Sequence, residues 1–167
     1  MTAHVRRRDS KRQPRGDRTA VERVSDPYRV RGKWPEPTMC PQCNAIYHRG
    51  RWQWGVAAPD AERHLCPACL RIRDRLPAGR LTLSGDFYRR HRDEISHLVH
   101  NAEAKARVEH PLERIMDVVE EANQTVITFT DGHLARGIGA ALHHAYGGEL
   151  DSLYTDKTDL LRVAWKR

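Results

Sequence analysis

No run of apolar residues in this chain is long enough to cross a bilayer, which excludes a helical membrane span. No apolar stretch follows the N-terminal arginines, so a secretory signal is not expected. Asp9, Asp17 and Glu22 in the same region argue against a transit peptide. The expectation is a soluble, cytoplasmic protein. Catalytic signatures are missing too: there is no Gly-rich phosphate loop, no nucleophile elbow and no HExxH. Acidic residues are outnumbered, 22 against 29 basic ones, which leaves a net charge of +7 and a pI of about 9.6. A basic excess of that size favours a polyanionic partner. Aromatics make up only 7% of the 167 residues, a length that suits one ordinary domain with small additions.

Cysteine is nearly absent as well, and its few occurrences are not scattered. Cys40-Pro41-Gln42-Cys43 and Cys66-Pro67-Ala68-Cys69 are two matched pairs, separated by 22 residues, and there are no other cysteines. Each CxxC pair lets two thiolates bite one metal from a tight turn, and two pairs complete a tetrahedron around zinc. The spacing is slightly longer than that of most zinc ribbons. Two redox CxxC sites or disulfides are the rival readings, and disulfides are rare in a cytosolic setting. His48 and His64 offer alternative ligands, but four cysteines already fill the set. A closed four-cysteine site leaves no open coordination position, so one structural Zn2+ is expected, worth about 10–16 kcal/mol of apparent binding energy.

The chain reads as three parts, an α+β protein overall. Residues 1–32 form an arginine-rich arm carrying Arg6, Arg7, Arg8, Lys11, Arg12, Arg15 and Arg18, with too little apolar surface to order itself. Residues 33–79 form the four-cysteine ribbon. Residues 80–167 form a small α/β module that ends strand, helix, strand, strand. Inside the ribbon, Trp52 and Trp54 share one face of a strand, with Arg49 and Arg51 on the other. Such interleaving suits stacking on bases and pairing with phosphates, although at least one of the two tryptophans is read as packing over the zinc knuckles as a minimal core. Arg71 and Arg73 lie on a short helix after the second pair.

In the third part, Leu81-Thr82-Leu83 reads as a strand and Ser84-Gly85-Asp86 as a helix start. Phe87, His91, Ile95, Leu98 and Ala102 recur at helical spacing, and Leu112, Ile115, Met116 and Val119 suggest a second helix after Pro111. Val126 to Thr130 reads as a strand, and Thr130-Asp131 caps a helix stopped by Gly147-Gly148. Leu150 to Tyr154 and Leu161 to Trp165 are two more strands, joined by a turn over residues 155–159. Gly137 and Gly139 are read as points of close helix–sheet packing.

Two weaker constellations remain. Asp93, His97 and His100 share a helix face, opposite the apolar stripe, and therefore meet water. Asp131-Gly132-His133 opens a helix and is read as a cap rather than an anion site. His143 and His144 are adjacent and cannot share a helix face.

The paired CPxC motifs occur with Arg51-Trp52-Gln53-Trp54, Cys69-Leu70-Arg71, Leu83-Ser84-Gly85-Asp86-Phe87 and His91-Arg92-Asp93-Glu94-Ile95. Thr130-Asp131-Gly132-His133-Leu134-Ala135, Tyr146-Gly147-Gly148-Glu149-Leu150 and Arg162-Val163-Ala164-Trp165 follow. Together these resemble a small bacterial zinc-ribbon family. That family is similar to the zinc-binding part of the nuclear-export adaptor family for the large ribosomal subunit and to its archaeal relatives. The resemblance spans about residues 38–167. It implies a zinc ribbon joined to an α/β module that docks on the large subunit, with no catalytic residues. The adaptor family carries more cysteine pairs and further domains, so export is not implied here.

The sequence therefore leads to a non-enzymatic, zinc-dependent RNA-binding protein of the ribosome, acting in assembly, quality control or dormancy. Its expected partners are ribosomal RNA and ribosomal proteins, with no membrane and no small-molecule substrate. The expected RNA contacts are the arm, Arg49, Arg51, Trp52, Trp54, Arg71, Arg73, Arg162 and Lys166. The rivals are a zinc-ribbon DNA-binding regulator, a nuclease using Asp93, His97 and His100, and a protein-interaction module.

Overall fold

The structure, a computed structural model, describes Tyr28, residues 33–155 and residues 160–167. The basic arm, apart from Tyr28, lies outside the described residues, as do residues 156–159 of the last turn.

Two sheets organise what is described. The first holds β1 (Thr38–Met39), β2 (Ile46–His48), β3 (Arg51–Gln53) and β4 (Glu62–Arg63) in the order β3-β2-β1-β4. Only β1 and β4 run parallel. The strands are two or three residues long and could not hold together on backbone pairing alone. A short helix follows, α1 (Pro67–Asp74). Its N-cap is Cys66, Pro67 sits where no amide is needed, and Arg75 closes it in the left-handed conformation at φ 54°.

The second sheet is built from β5 (Gly79–Ser84), β6 (Ile115–Glu120), β7 (Gln124–Phe129), β8 (Glu149–Thr155) and β9 (Leu160–Lys166), in the order β6-β7-β5-β9-β8. Helices α2 (Asp86–Arg90) and α3 (Arg92–Glu109) connect β5 to β6, and α4 (Gly132–Tyr146) connects β7 to β8. Central β5 pairs antiparallel with β7 and parallel with β9. The outer pairs, β6 with β7 and β8 with β9, are antiparallel. Each helical connection thus joins two parallel strands with other strands between them. Both helices land on one face, where Ile95, Val99, Leu134, Ile138 and Leu142 meet Leu81, Leu83, Phe129, Leu161, Val163 and Trp165. The strict alternation of β5 and β9 puts Arg80, Thr82, Ser84, Arg162, Ala164 and Lys166 on the opposite face, which no helix covers.

Two helical expectations are corrected. The stripe Leu112, Ile115, Met116 and Val119 is not a helix: Pro111 begins a turn, in which the Glu113 N–H donates to the His110 carbonyl, and Ile115–Glu120 is β6. Four apolar residues fit helical spacing, but Val118 and Val119 are β-branched and β7 offers a full ladder, so pairing overrides periodicity. The helix expected from Phe87 to Ala102 breaks at His91, whose ring stacks on Phe87 at 4.1 Å. Its buried stripe is Tyr88, Ile95 and Val99, with Phe87, Leu98 and Ala102 packed alongside. Gly85 opens α2 where the chain leaves β5. It has φ 104°, and a Cβ there would lie 2.3 Å from the Arg167 carbonyl oxygen.

Candidate metal centre

The first cysteine pair sits in a knuckle between β1 and β2. Cys40 N–H donates to the Ala45 carbonyl at 2.8 Å and Asn44 N–H to the Cys40 carbonyl at 2.9 Å, with Asn44 left-handed at φ 62°. Asparagine tolerates that conformation better than most residues. The second pair opens α1. Cys66 N–H donates to the Cys40 sulfur and Cys69 N–H to the Cys66 sulfur, each at 3.4 Å. The free amides and the dipole of a helix N-terminus favour negative sulfur.

All four Sγ atoms lie within 4.8 Å of one another, and Cys43 and Cys66 approach to 3.7 Å. The edge of a tetrahedral ZnS4 unit with Zn–S bonds of about 2.3 Å is about 3.8 Å. A disulfide would need about 2.05 Å, and all four cysteines are free. The donor set therefore fits one four-coordinate thiophilic ion, zinc first among them. It is the only group of three or more His, Cys, Asp or Glu side chains among the described residues close enough to hold a metal. His48 instead faces Glu36, and His64 pairs with Glu62 at 3.0 Å.

Cys43, Cys66 and Cys69 differ in acidity. Cys43, hydrogen-bonded to Cys66, is pulled down to about 4. The same hydrogen bond, then burial, pushes Cys66 well above the usual thiol range, and burial raises Cys69 to about 11. Four thiolates cannot coexist in so small a volume without a cation. A metal must displace the remaining protons, so its affinity rises with pH.

One group at this centre was not legible in the sequence. Arg114, only 6% exposed, reaches over from the turn before β6. Its Nη1 donates to the Cys69 sulfur at 3.4 Å and its Nη2 lies 3.9 Å from the Cys66 sulfur. Its Nε donates to the Pro111 carbonyl at 2.6 Å, and Thr130 holds the turn by accepting the Arg114 N–H at 2.9 Å. Arg114 has no ion-paired carboxylate among the described residues, so the sulfurs are what compensate its charge. No spacing rule links a cysteine pair to an arginine 45 residues downstream. Leu112, in the same turn, packs into the ribbon core beside Tyr47, Trp52 and the cysteines.

The arginines and tryptophans read as RNA contacts are placed unevenly. Trp52 is buried against Trp34 and Tyr47, with ring centres at 5.8 and 5.6 Å. Trp54 lies past the end of β3, and its indole donates to the Arg107 carbonyl at 2.6 Å. The two tryptophans therefore do not form one exposed face. Arg49 and Arg51 are exposed at the β2–β3 turn. Arg71 is buried, donating to the Leu76 carbonyl at 3.1 Å and lying 4.8 Å from the Tyr28 ring centre. Arg73 is engaged by Asp74 at 2.6 and 3.2 Å. Arg162 and Lys166 are exposed on the uncovered sheet face, beside Arg80, which the sequence did not single out. Arg6, Arg7, Arg8, Lys11, Arg12, Arg15 and Arg18 lie outside the described residues.

Asp93, His97 and His100 are exposed on α3, and His143 and His144 on α4. Asp131 caps α4, accepting the His133 N–H at 2.6 Å. No described helix is long and apolar enough to cross a membrane. Comparison with family models, with curated proteins and with solved structures found no match to this chain.

Proposed function

We propose that this protein binds RNA through the uncovered face of its five-stranded sheet, with zinc holding the ribbon beside it, and that its RNA is ribosomal. The observation that carries the reading is the register of β5 and β9. Arg80 and Arg162 are side by side at the centre of the sheet, one row from the Thr82–Ala164 pair and two from Ser84–Lys166. Like charges on neighbouring strands repel, and no ion pair relieves either arginine among the described residues. A bound polyanion would relieve both. The face carries a shallow depression of about 540 Å3 lined by Arg80, Thr82, Gln124, Arg162 and Ala164, with Asp151 at its β8 side. Arginine forks bind phosphate bidentately. The central strands offer no aromatic ring on this face, so the contacts are to backbone phosphates and sequence discrimination is weak. The ribosomal assignment rests on the sequence resemblance together with the net charge of +7.

Salt-dependent binding tests the reading. Affinity for single-stranded RNA should fall steeply with salt, and Arg80→Ala with Arg162→Ala should reduce the logarithmic slope by about one unit per phosphate contact removed. An unchanged affinity and slope would remove this face from the interface. For the ribosomal target, the tagged protein should comigrate with large subunits or intact ribosomes on sucrose gradients at low salt and leave them at high salt. A protein that stays at the top of every gradient would refute that target.

A further inference from the structure

The uncovered sheet face is not uniformly basic, and its register sorts the charges into columns. Directly paired residues share a face, so each row can be followed across the order β6-β7-β5-β9-β8. The row of Arg80 and Arg162 ends in Asp117 on β6. The row of Thr82 and Ala164 ends in Asp151 on β8. The row of Ser84 and Lys166 ends in Glu149 on β8 and, on its other side, in Gln124 of β7. Glu121 closes the hairpin opposite Gln124, and its carboxylate accepts the Gln124 side-chain amide.

The bases of this face therefore all stand on the central pair, β5 and β9, and the acids all stand at the margins. Asp117 and Glu121 fence the β6 side, and Asp151 and Glu149 fence the β8 side. No ion pair joins these acids to these bases among the described residues, although Glu149 is directly opposite Lys166. Neighbouring strands lie about 4.8 Å apart, so the basic strip is one strand spacing wide, with β8 about 5 Å beyond it and β6 about 10 Å. Along the strands, the Arg80–Arg162 and Ser84–Lys166 rows are four residues apart, about 13 Å, with the Thr82 hydroxyl between them.

We propose that this pattern selects a single, unpaired RNA backbone running along β5 and β9 and rejects a duplex. The inference rests on the RNA reading of this face and specifies which RNA the face accepts. A duplex lays two backbones against a surface, on either side of a groove about 6–12 Å wide in B-form geometry. With one backbone on the strip, the second lies over one of the acidic margins, where like charges repel. An unpaired strand has no second backbone, and its bases turn outward, because the central strands offer them no ring. A backbone running across the strands would have to pass over an acidic column, so the strip also sets the direction.

The test uses the full zinc-loaded chain, an oligouridylate and a fully paired RNA duplex of the same length, at one salt concentration. The single strand should bind about tenfold more tightly than the duplex, or better. Asp117→Asn with Asp151→Asn should raise duplex affinity more than single-strand affinity, so that the preference shrinks several-fold. Lys166→Ala should flatten the salt slope for the single strand by about one unit. Equal wild-type affinity for single strand and duplex overturns the proposal, whatever the fate of the variants. An equal gain for both ligands in the double asparagine variant also overturns it, since the acids would then act only through net charge. A salt slope unchanged by Lys166→Ala overturns the direction along the strands. These failures differ from failure of the RNA reading itself. If Arg80→Ala with Arg162→Ala binds the single strand as the wild type does, the whole face is removed from the interface. If that variant binds weakly while the wild type takes the duplex equally well, only the selectivity falls.

Discussion

At Arg114 a full positive charge is buried on two cysteine sulfurs, and its worth can be measured directly. Groups that donate to the ligands of a metal tune affinity, and removing one commonly costs 10–100-fold. Arg114→Met keeps most of the volume and removes the charge. Zinc affinity measured by competition with a chromophoric chelator should fall by about 10–100-fold. Unchanged affinity would show that the sulfur contacts at 3.4 and 3.9 Å are incidental. Glu36 offers a second test. Its two carboxylate oxygens accept the Arg49 and Gly50 amides at 2.8 and 3.0 Å, pinning the β2–β3 turn, and those bonds hold its carboxyl below the usual range. A depressed carboxyl contributes stability that is present above its unfolded pKa and lost as pH falls through its folded value. The wild-type ribbon should therefore loosen on acidification through and below the usual carboxylate range. Glu36→Gln should lack that share of the acid response in a pH series of thermal melts, and identical acid limbs would contradict it.

At the scale of the element, α4 carries two glycines that the sequence reads alike and the structure separates. A Cβ on Gly139 would lie 2.7 Å from the Val163 side chain and 3.1 Å from that of Leu150, because the helix rests directly on β9 and β8. A Cβ on Gly137 would meet nothing within 4 Å. Gly139→Ala should destabilise by about 1–3 kcal/mol through overpacking. Gly137→Ala should stabilise by about 0.5–1 kcal/mol through helix propensity. Thermal or denaturant unfolding of the two variants reads both signs, and shifts in the same direction would mean that α4 is seated differently. The same sheet explains why β6 is a strand. Its residues satisfy helical spacing, yet its backbone ladder runs along β7.

Across the whole molecule, two cores of unequal size are joined through one turn. The α/β core gathers fourteen buried residues, including Phe129, Tyr88 and Trp165, and the Tyr88 hydroxyl donates to Thr125 at 2.5 Å within it. The ribbon core has seven, three of them cysteines, which is too little apolar surface to order such short strands without a metal. The turn at residues 110–114 serves both, with Leu112 in the ribbon core and Arg114 on the sulfurs. Chelation should therefore unfold the ribbon and leave the α/β module standing. The protein should contain one zinc per chain. Strong chelator should release it, shift Trp52 fluorescence to the red, and preserve most of the helical signal of α3 and α4. Collapse of the helical signal along with zinc loss would show a single cooperative unit instead.

The four-cysteine cluster was legible from the sequence because a CxxC pair is a local device: four residues and one turn bring two sulfurs together whatever surrounds them. The cap of α4, the alternation of β9 and the stop at Gly147 were legible for the same reason, since each depends on neighbours within one turn or two residues. The basic balance of the chain was fixed by composition. What only the tertiary structure decided involves residues far apart in the chain. Burial of Trp52 and Arg71 follows from which elements cover them, and the strand at Ile115–Glu120 follows from the free edge of β7. Arg80 meets Arg162 only because β5 and β9 pair across 82 residues. Arg114 meets the cysteines only because two cores dock. Charge compensation and burial are properties of a surrounding volume, and a linear pattern does not contain the volume.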